Sequence, residues 1–238
     1  IKSYYKILSE DFPEFLNEYI NTLAMLKQSR TSVSCGTIYS KMYNQMWYSS
    51  LDHSIAVALI IWHFTKDKKQ TLSGLFHDIA TPVFKHSIDF MNKDYEKQES
   101  TEELTTKIIH DSEELMYLLN RDGIKVEEVA DYHIYPIADN DTPRLSSDRL
   151  EYTLSNGLGA TEKLWTLEEV KEIYDNIEIQ KDENGIDELG FKDVDKAEKF
   201  VHTMSILSRL YIREKTLFTM QMLADIMKRM LDKNLISI

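Results

Sequence analysis

Residues 52–65 restrict the fold more than any other stretch. The interior of this segment, Ile55, Ala56, Val57, Ala58, Leu59, Ile60 and Ile61, is apolar in every direction around a helix, so it has no face to give to water. A helix of that kind lies at the centre of a body, with other elements wrapped about it. The neighbouring sequence supplies them. Residues 12–27 carry Phe12, Phe15, Leu16, Tyr19, Ile20, Leu23 and Leu26 at the i, i+3, i+4 rhythm of an amphipathic helix, with Pro13 in its first turn. Residues 70–80 predict a second central helix, stopped by Thr81-Pro82, and residues 83–91 a short one. Ser100-Thr101-Glu102-Glu103 reads as a capping box opening a helix to about Asn120. Further helices are expected over 126–133, 145–154 and 166–174. The helical period returns over 195–235, with Leu217 and Ile226 among its apolar positions and methionines that read as core filler. Asn184-Gly185, flanked by 177–180 and 188–191, is a hairpin signal. The expected fold is all-α, a helical bundle with a small β-hairpin near residues 177–191.

The 238 residues fit one large domain or two small ones, and 42% hydrophobic content is ample for a packed core. The longest apolar run, 55–62, is far short of the roughly 20 residues that span a bilayer, so no membrane association is expected. The N-terminal residues show no basic region followed by an apolar core, which argues against a secretory signal. A lone cysteine, Cys35, rules out an internal disulfide framework and a cysteine-based zinc site, and fits a cytoplasmic location. The formal charge of −12 disfavours broad nucleic-acid binding, while a small anion can still be received by a local cation or a metal.

Chemistry concentrates around His77-Asp78, set among Leu75, Phe76 and Ile79. Imidazole and carboxylate are both good ligands for a divalent cation, and a buried carboxylate needs a partner. Successive helical residues point about 100° apart, so the two share an ion only if other ligands arrive from elsewhere in the chain. Asp52-His53-Ser54 and Ser147-Asp148-Arg149-Leu150-Glu151-Tyr152 are the available sources. His53 sits near a helix start, where the dipole favours the neutral, metal-binding imidazole. His63, further along the same helix, cannot serve the same ion. His86 and Asp89 fall on one helical face, suited to a histidine acid or base held by a carboxylate and equally to a surface pair. Asp139-Asn140-Asp141 is better explained by turn chemistry than by calcium.

These segments resemble the HD-domain metal-dependent phosphohydrolase superfamily, whose pattern is a histidine, then His-Asp, then a distant aspartate on helices around a divalent ion. Gly74-Leu75-Phe76-His77-Asp78-Ile79, Pro82-Val83-Phe84-Lys85-His86 and Asp148-Arg149-Leu150-Glu151-Tyr152 are similar to its deoxynucleoside-triphosphate triphosphohydrolase branch. The resemblance implies a single HD-type domain over 1–238, with a metal-binding core at about 48–156 and the hairpin and C-terminal helices at 166–238. It implies His53, His77, Asp78 and Asp148 as ligands of a Mn, Fe, Ni, Zn or Mg ion. His86, Asp89 and Asp78 would be catalytic, with metal-activated water attacking a nucleotide or related phosphoester. Tyr152, Asn156, Lys85, Arg149 and Glu102 would contact the substrate, and a homo-oligomer is possible. The chain departs from the branch at Ser50, where an arginine is usual, and at Thr81, where a histidine is usual. The later His-Glu pair is replaced by Thr101-Glu102 unless Gln98-Glu99 is the register, and His110 aligns less naturally. Two further readings follow from these departures and from the shared ion set: a catalytically weakened nucleotide-binding or regulatory module, and a phosphodiesterase of cyclic or linear dinucleotides.

Overall fold

In the computed structural model, which describes residues 1–34, 47–92, 104–159 and 164–236, the all-round apolar segment is the central helix α4 (Ser50–Thr65). It begins two residues earlier than expected because Ser49 and Asp52 close a capping box. The Ser49 hydroxyl accepts the Asp52 N–H at 3.1 Å, and the Asp52 carboxylate receives the Ser49 N–H at 3.2 Å. Asp52 is therefore a structural cap. Residues 56–61 of α4 are fully buried, and α5 (Lys68–Phe76), α9 (Ser147–Gly159) and α1 (Lys2–Leu8) all pack against it.

Gly74 permits the close approach of α5 to α4. A Cβ at this position would lie 2.2 Å from Ile61 Cδ1 and 3.3 Å from Val57 Cγ1, both in fully buried side chains. Gly74→Ala is expected to destabilise the protein by about 1–3 kcal/mol, because Ile61 must leave its position in a filled interface. Urea unfolding measures this, and an unchanged midpoint would show that the interface has slack.

The C-terminal half is built on this pair. A Thr166/Glu169 capping box starts α10 (Leu167–Tyr174), and the Tyr174 hydroxyl donates to the carbonyl of Leu8 at 2.8 Å, tying α10 to α1. Strands β1 (Ile177–Lys181) and β2 (Asp187–Phe191) form an antiparallel hairpin with Ile177 opposite Phe191. Its turn uses Gly185 at φ +81°, whose N–H donates to the Asp182 carbonyl at 3.0 Å, the geometry of a type I turn followed by a left-handed residue. Helices α11 (Val194–Ile212) and α12 (Glu214–Asp232) follow, and α12 packs on α6 (His86–Asn92).

Several expected helices are broken, each where a polar side chain or the backbone itself interrupts the ladder. Residues 12–27 divide into α2 (Glu14–Ile20) and α3 (Leu23–Leu26). The Asn21 amide and Thr22 hydroxyl take the carbonyls of Asn17 and Tyr19, at 2.7 and 2.8 Å, which leaves Leu23 and Leu26 exposed rather than in the core. Ser112 separates α7 (Thr105–Asp111) from α8 (Glu113–Asp122) by accepting the Leu115 N–H at 3.3 Å. Residues 126–133 form two single 3₁₀ turns, Val126–Glu128 and Tyr132–Ile134, instead of a helix. The segment 195–235 breaks at Arg213, where the backbone is extended, and Leu217 and Ile226 face solvent. The capping box at 100–103 lies outside the described residues. Among those described, no helix is long and apolar enough to cross a membrane.

Candidate metal centre

His53 comes from the first turns of α4, His77 from the residue that ends α5, and Asp148 from the first turn of α9. Packing of the three helices brings their donor atoms within 4.8 Å of one another. The two Nε2 atoms are 3.2 Å apart, and Asp148 Oδ1 lies 3.1 Å from His53 Nε2 and 3.7 Å from His77 Nε2. The partners of the other ring nitrogens decide what these atoms offer. His77 Nδ1 faces the Gly74 carbonyl at 2.7 Å, and a carbonyl only accepts, so Nδ1 carries the proton and the neutral ring turns the Nε2 lone pair toward the cluster. His53 Nδ1 is hydrogen-bonded to the Glu151 carboxylate, which orients that ring in the same sense. Once His53 gives up its Nε2 proton, which in the metal-free protein is shared with Asp148, two imidazole lone pairs and a carboxylate oxygen converge on one region. Such a set fits a divalent cation, and its mixed nitrogen and oxygen chemistry does not discriminate among Mn²⁺, Fe²⁺, Ni²⁺, Zn²⁺ and Mg²⁺.

Glu151 was missed in the sequence and is the most enclosed member of the group, with no exposed surface. Besides His53, it accepts hydrogen bonds from the Tyr4 hydroxyl at 3.0 Å and the Tyr48 hydroxyl at 2.7 Å. The signal that would have found it is the i, i+3 spacing from Asp148, which puts both carboxylates on one face of α9. Burial and the neighbouring Glu151 carboxylate hold both tyrosine hydroxyls far above their usual range, so they act as donors throughout the working pH. Tyr132 packs its ring 5.3 Å from that of His77.

Burial alone would lower the pKa of His53, but Glu151 and Asp148 on either side outweigh it and push the value up to about 10. Asp148 is held below the usual carboxylate range: burial raises it, and the hydrogen bond from His53 with the neighbouring imidazoles outweighs that and lowers it. In the metal-free protein a proton therefore competes with the ion for His53 Nε2. Metal affinity is expected to weaken by about tenfold for each unit of pH lowered between 8 and 6, read from calorimetric titrations at each pH. The sign for stability is opposite. A folded pKa of about 10 against 6.5 for the free side chain gives stability that is complete below 6.5 and is lost as pH rises through 10. The metal-free protein should therefore melt at progressively lower temperature from pH 7 to 10.

Asp78 stands beside the cluster. Its Oδ1 is 4.0 Å from His77 Nε2 and accepts the Thr81 hydroxyl at 2.8 Å, and its Oδ2 lies 2.6 Å from Lys85 Nζ. Burial raises its pKa, but Lys85 and the two imidazoles hold it well below the usual range. Arg149, expected on a substrate phosphate, is instead held by Asp139 at 3.1 Å, by Asn140 and by the Arg144 carbonyl at 2.9 Å. It fastens the loop before α9 through these contacts. Tyr152 follows Asp148 by one turn, and burial with the Asp148 charge raises its hydroxyl pKa. The Asn156 amide donates to the Tyr152 carbonyl at 2.8 Å. His63 lies against Tyr174, away from the cluster, and His110 is exposed on α7. Glu102 and the side chains of His86 and Asp89 fall outside what the structure describes.

Comparison with known proteins agrees with this geometry. Residues 50–163 match the model of the HD domain, and the helical body with its two-stranded hairpin is consistent with that fold. Over 117 residues, 48% of the chain, the sequence is 26% identical to an uncharacterized Bacillus subtilis (strain 168) protein, YdhJ. The match covers 35% of that relative's length.

Proposed function

With residues 50–163 an HD domain, we propose that the protein is a metal-dependent phosphohydrolase acting on a nucleotide or a related phosphoester. The observation that carries this reading is the convergence of His53 Nε2, His77 Nε2 and Asp148 Oδ1 on one point, with both rings oriented by hydrogen bonds at Nδ1. His53, His77 and Asp148 would hold a divalent ion, which would supply Lewis acidity to activate a water and polarise a phosphoryl oxygen. The chain's own part is to hold the ligands in their metal-binding tautomers, to keep Asp78 and Asp148 charged, and to shield the rings behind Tyr132 and the α4 core. His86 with Asp89 is our choice for the proton carrier, and Tyr152 for a wall of the substrate pocket.

A second reading, a nucleotide-binding module of weak turnover, is favoured by the fate of the cations. Lys85 is paired with Asp78 and Arg149 with Asp139, so each of these charges is already engaged by a carboxylate of the chain. Phosphate release from nucleoside mono-, di- and triphosphates and from cyclic and linear dinucleotides, with Mn²⁺ present, separates the two. Inorganic triphosphate as product supports the triphosphohydrolase branch, orthophosphate a nucleotidase, and cleavage of a dinucleotide a phosphodiesterase. Nucleotide binding without any release favours the module, and neither binding nor release removes both.

A further inference from the structure

The pairing of Lys85 with Asp78 is unusual in its backbone as well as its burial. Lys85 is 9% exposed and holds a left-handed backbone at φ +41°, a conformation that disfavours a long side chain. That backbone brings Nζ to 2.6 Å from Asp78 Oδ2. The other oxygen, Oδ1, is the one near His77, 4.0 Å from Nε2, and it is steadied by Thr81 at 2.8 Å. The carboxylate thus has one oxygen on the imidazole side and the other closed by a buried ammonium. A carboxylate that bridges two metal ions must offer an oxygen to each, and a dication beside Lys85 Nζ would meet strong, poorly screened repulsion.

We propose that Lys85 is a resident cation standing in for a second metal ion, so that the centre takes a single divalent ion and holds it less tightly than its ligands alone would. The proposal rests on the metal-centre reading above. Lys85 shares the Asp78 charge with the ion in His53, His77 and Asp148, so removing the ammonium strengthens the attraction left for that ion. The direction is the reverse of what a purely structural lysine gives, since loosening the site can only weaken binding.

The test is calorimetric titration of the full chain with Mn²⁺, backed by elemental analysis, on the wild type, Lys85→Met and Lys85→Arg, with thermal melts as the check on folding. The wild type is expected to bind one Mn²⁺ per chain. Lys85→Met, which keeps the stem and loses the charge, is expected to bind Mn²⁺ about tenfold or more tightly, and Lys85→Arg to stay within about threefold of the wild type. Two ions in the wild type overturn the proposal and leave the hydrolase reading intact. So does Lys85→Met that melts like the wild type and binds with equal or lower affinity. If Lys85→Met does not fold, the wild-type stoichiometry and the Lys85→Arg affinity decide. Absence of any Mn²⁺ binding by the wild type fails the metal centre itself, and the proposal with it.

Discussion

With Asp148 replaced by alanine, the protein is expected to lose its divalent ion and keep its fold. Asp148 Oδ1 is the oxygen that reaches both imidazoles, at 3.1 and 3.7 Å, so its removal leaves two neutral nitrogens and no negative charge between them. Its side chain is 24% exposed, and deleting it opens no sealed cavity. Mn²⁺ affinity should fall by about a hundredfold or more, with the proposed phosphohydrolase activity lost in parallel, and the variant should still melt cooperatively, at a temperature lowered by the part of the His53 stabilisation that Asp148 supplies. The pKa of His53 should also drop, since one of the two carboxylates that raise it is gone. A variant that binds Mn²⁺ like the wild type would take Asp148 out of the centre.

Glu151→Ala is expected to damage the fold itself. Glu151 is completely enclosed and accepts from three buried donors, the Nδ1–H of His53 and the hydroxyls of Tyr4 and Tyr48. Alanine strands all three, at a cost of about 3–5 kcal/mol, a large share of the roughly 5–15 kcal/mol that holds an ordinary domain folded. Glu151→Gln separates the structural role from the effect on the ion. It keeps the volume and an acceptor for the tyrosines but presents a neutral group to His53, so Mn²⁺ affinity should fall by about 10–100-fold with a smaller loss of stability. Denaturant unfolding and calorimetry on the two variants read these effects. Equal, small changes in both would show that Glu151 is only filler.

The central helix was legible because seven successive apolar residues, 55–61, leave a helix no solvent face whatever surrounds it. The hairpin was legible for a similarly local reason, a glycine where the turn needs a left-handed residue. Breaks at Asn21, Ser112 and Arg213 were not. Asn21 and Ser112 lie within otherwise good helical periods, and which backbone groups their side chains take is settled by packing. Arg213 carries no breaker signal at all. At the centre, the residue types at His53, His77 and Asp148 pointed to a metal, but their meeting depends on how closely Gly74 lets α5 approach α4. The partner of Asp78 was hidden because it involves the left-handed backbone of Lys85, and the sequence reads Lys85 as a substrate contact. Arg149 was likewise read as a substrate contact, and the loop acceptors ahead of α9 hold it. Glu151 went unnoticed because His53, Tyr48 and Tyr4, which donate to it, all lie far off in sequence, Tyr4 on a short helix with no strong period.

That short helix, α1, has a practical consequence. Tyr4 and Tyr48 both precede residue 50, where the HD-domain match begins, yet they hold the carboxylate that orients the His53 ring. A fragment cut to residues 50–163 would retain every atom able to touch the ion and still lack two of the hydroxyls that keep Glu151 in place. Relatives sharing those ligands but carrying unrelated N-terminal segments can therefore differ in how firmly they grip a metal, and excising the recognised segment for assay would measure a different affinity from that of the intact chain.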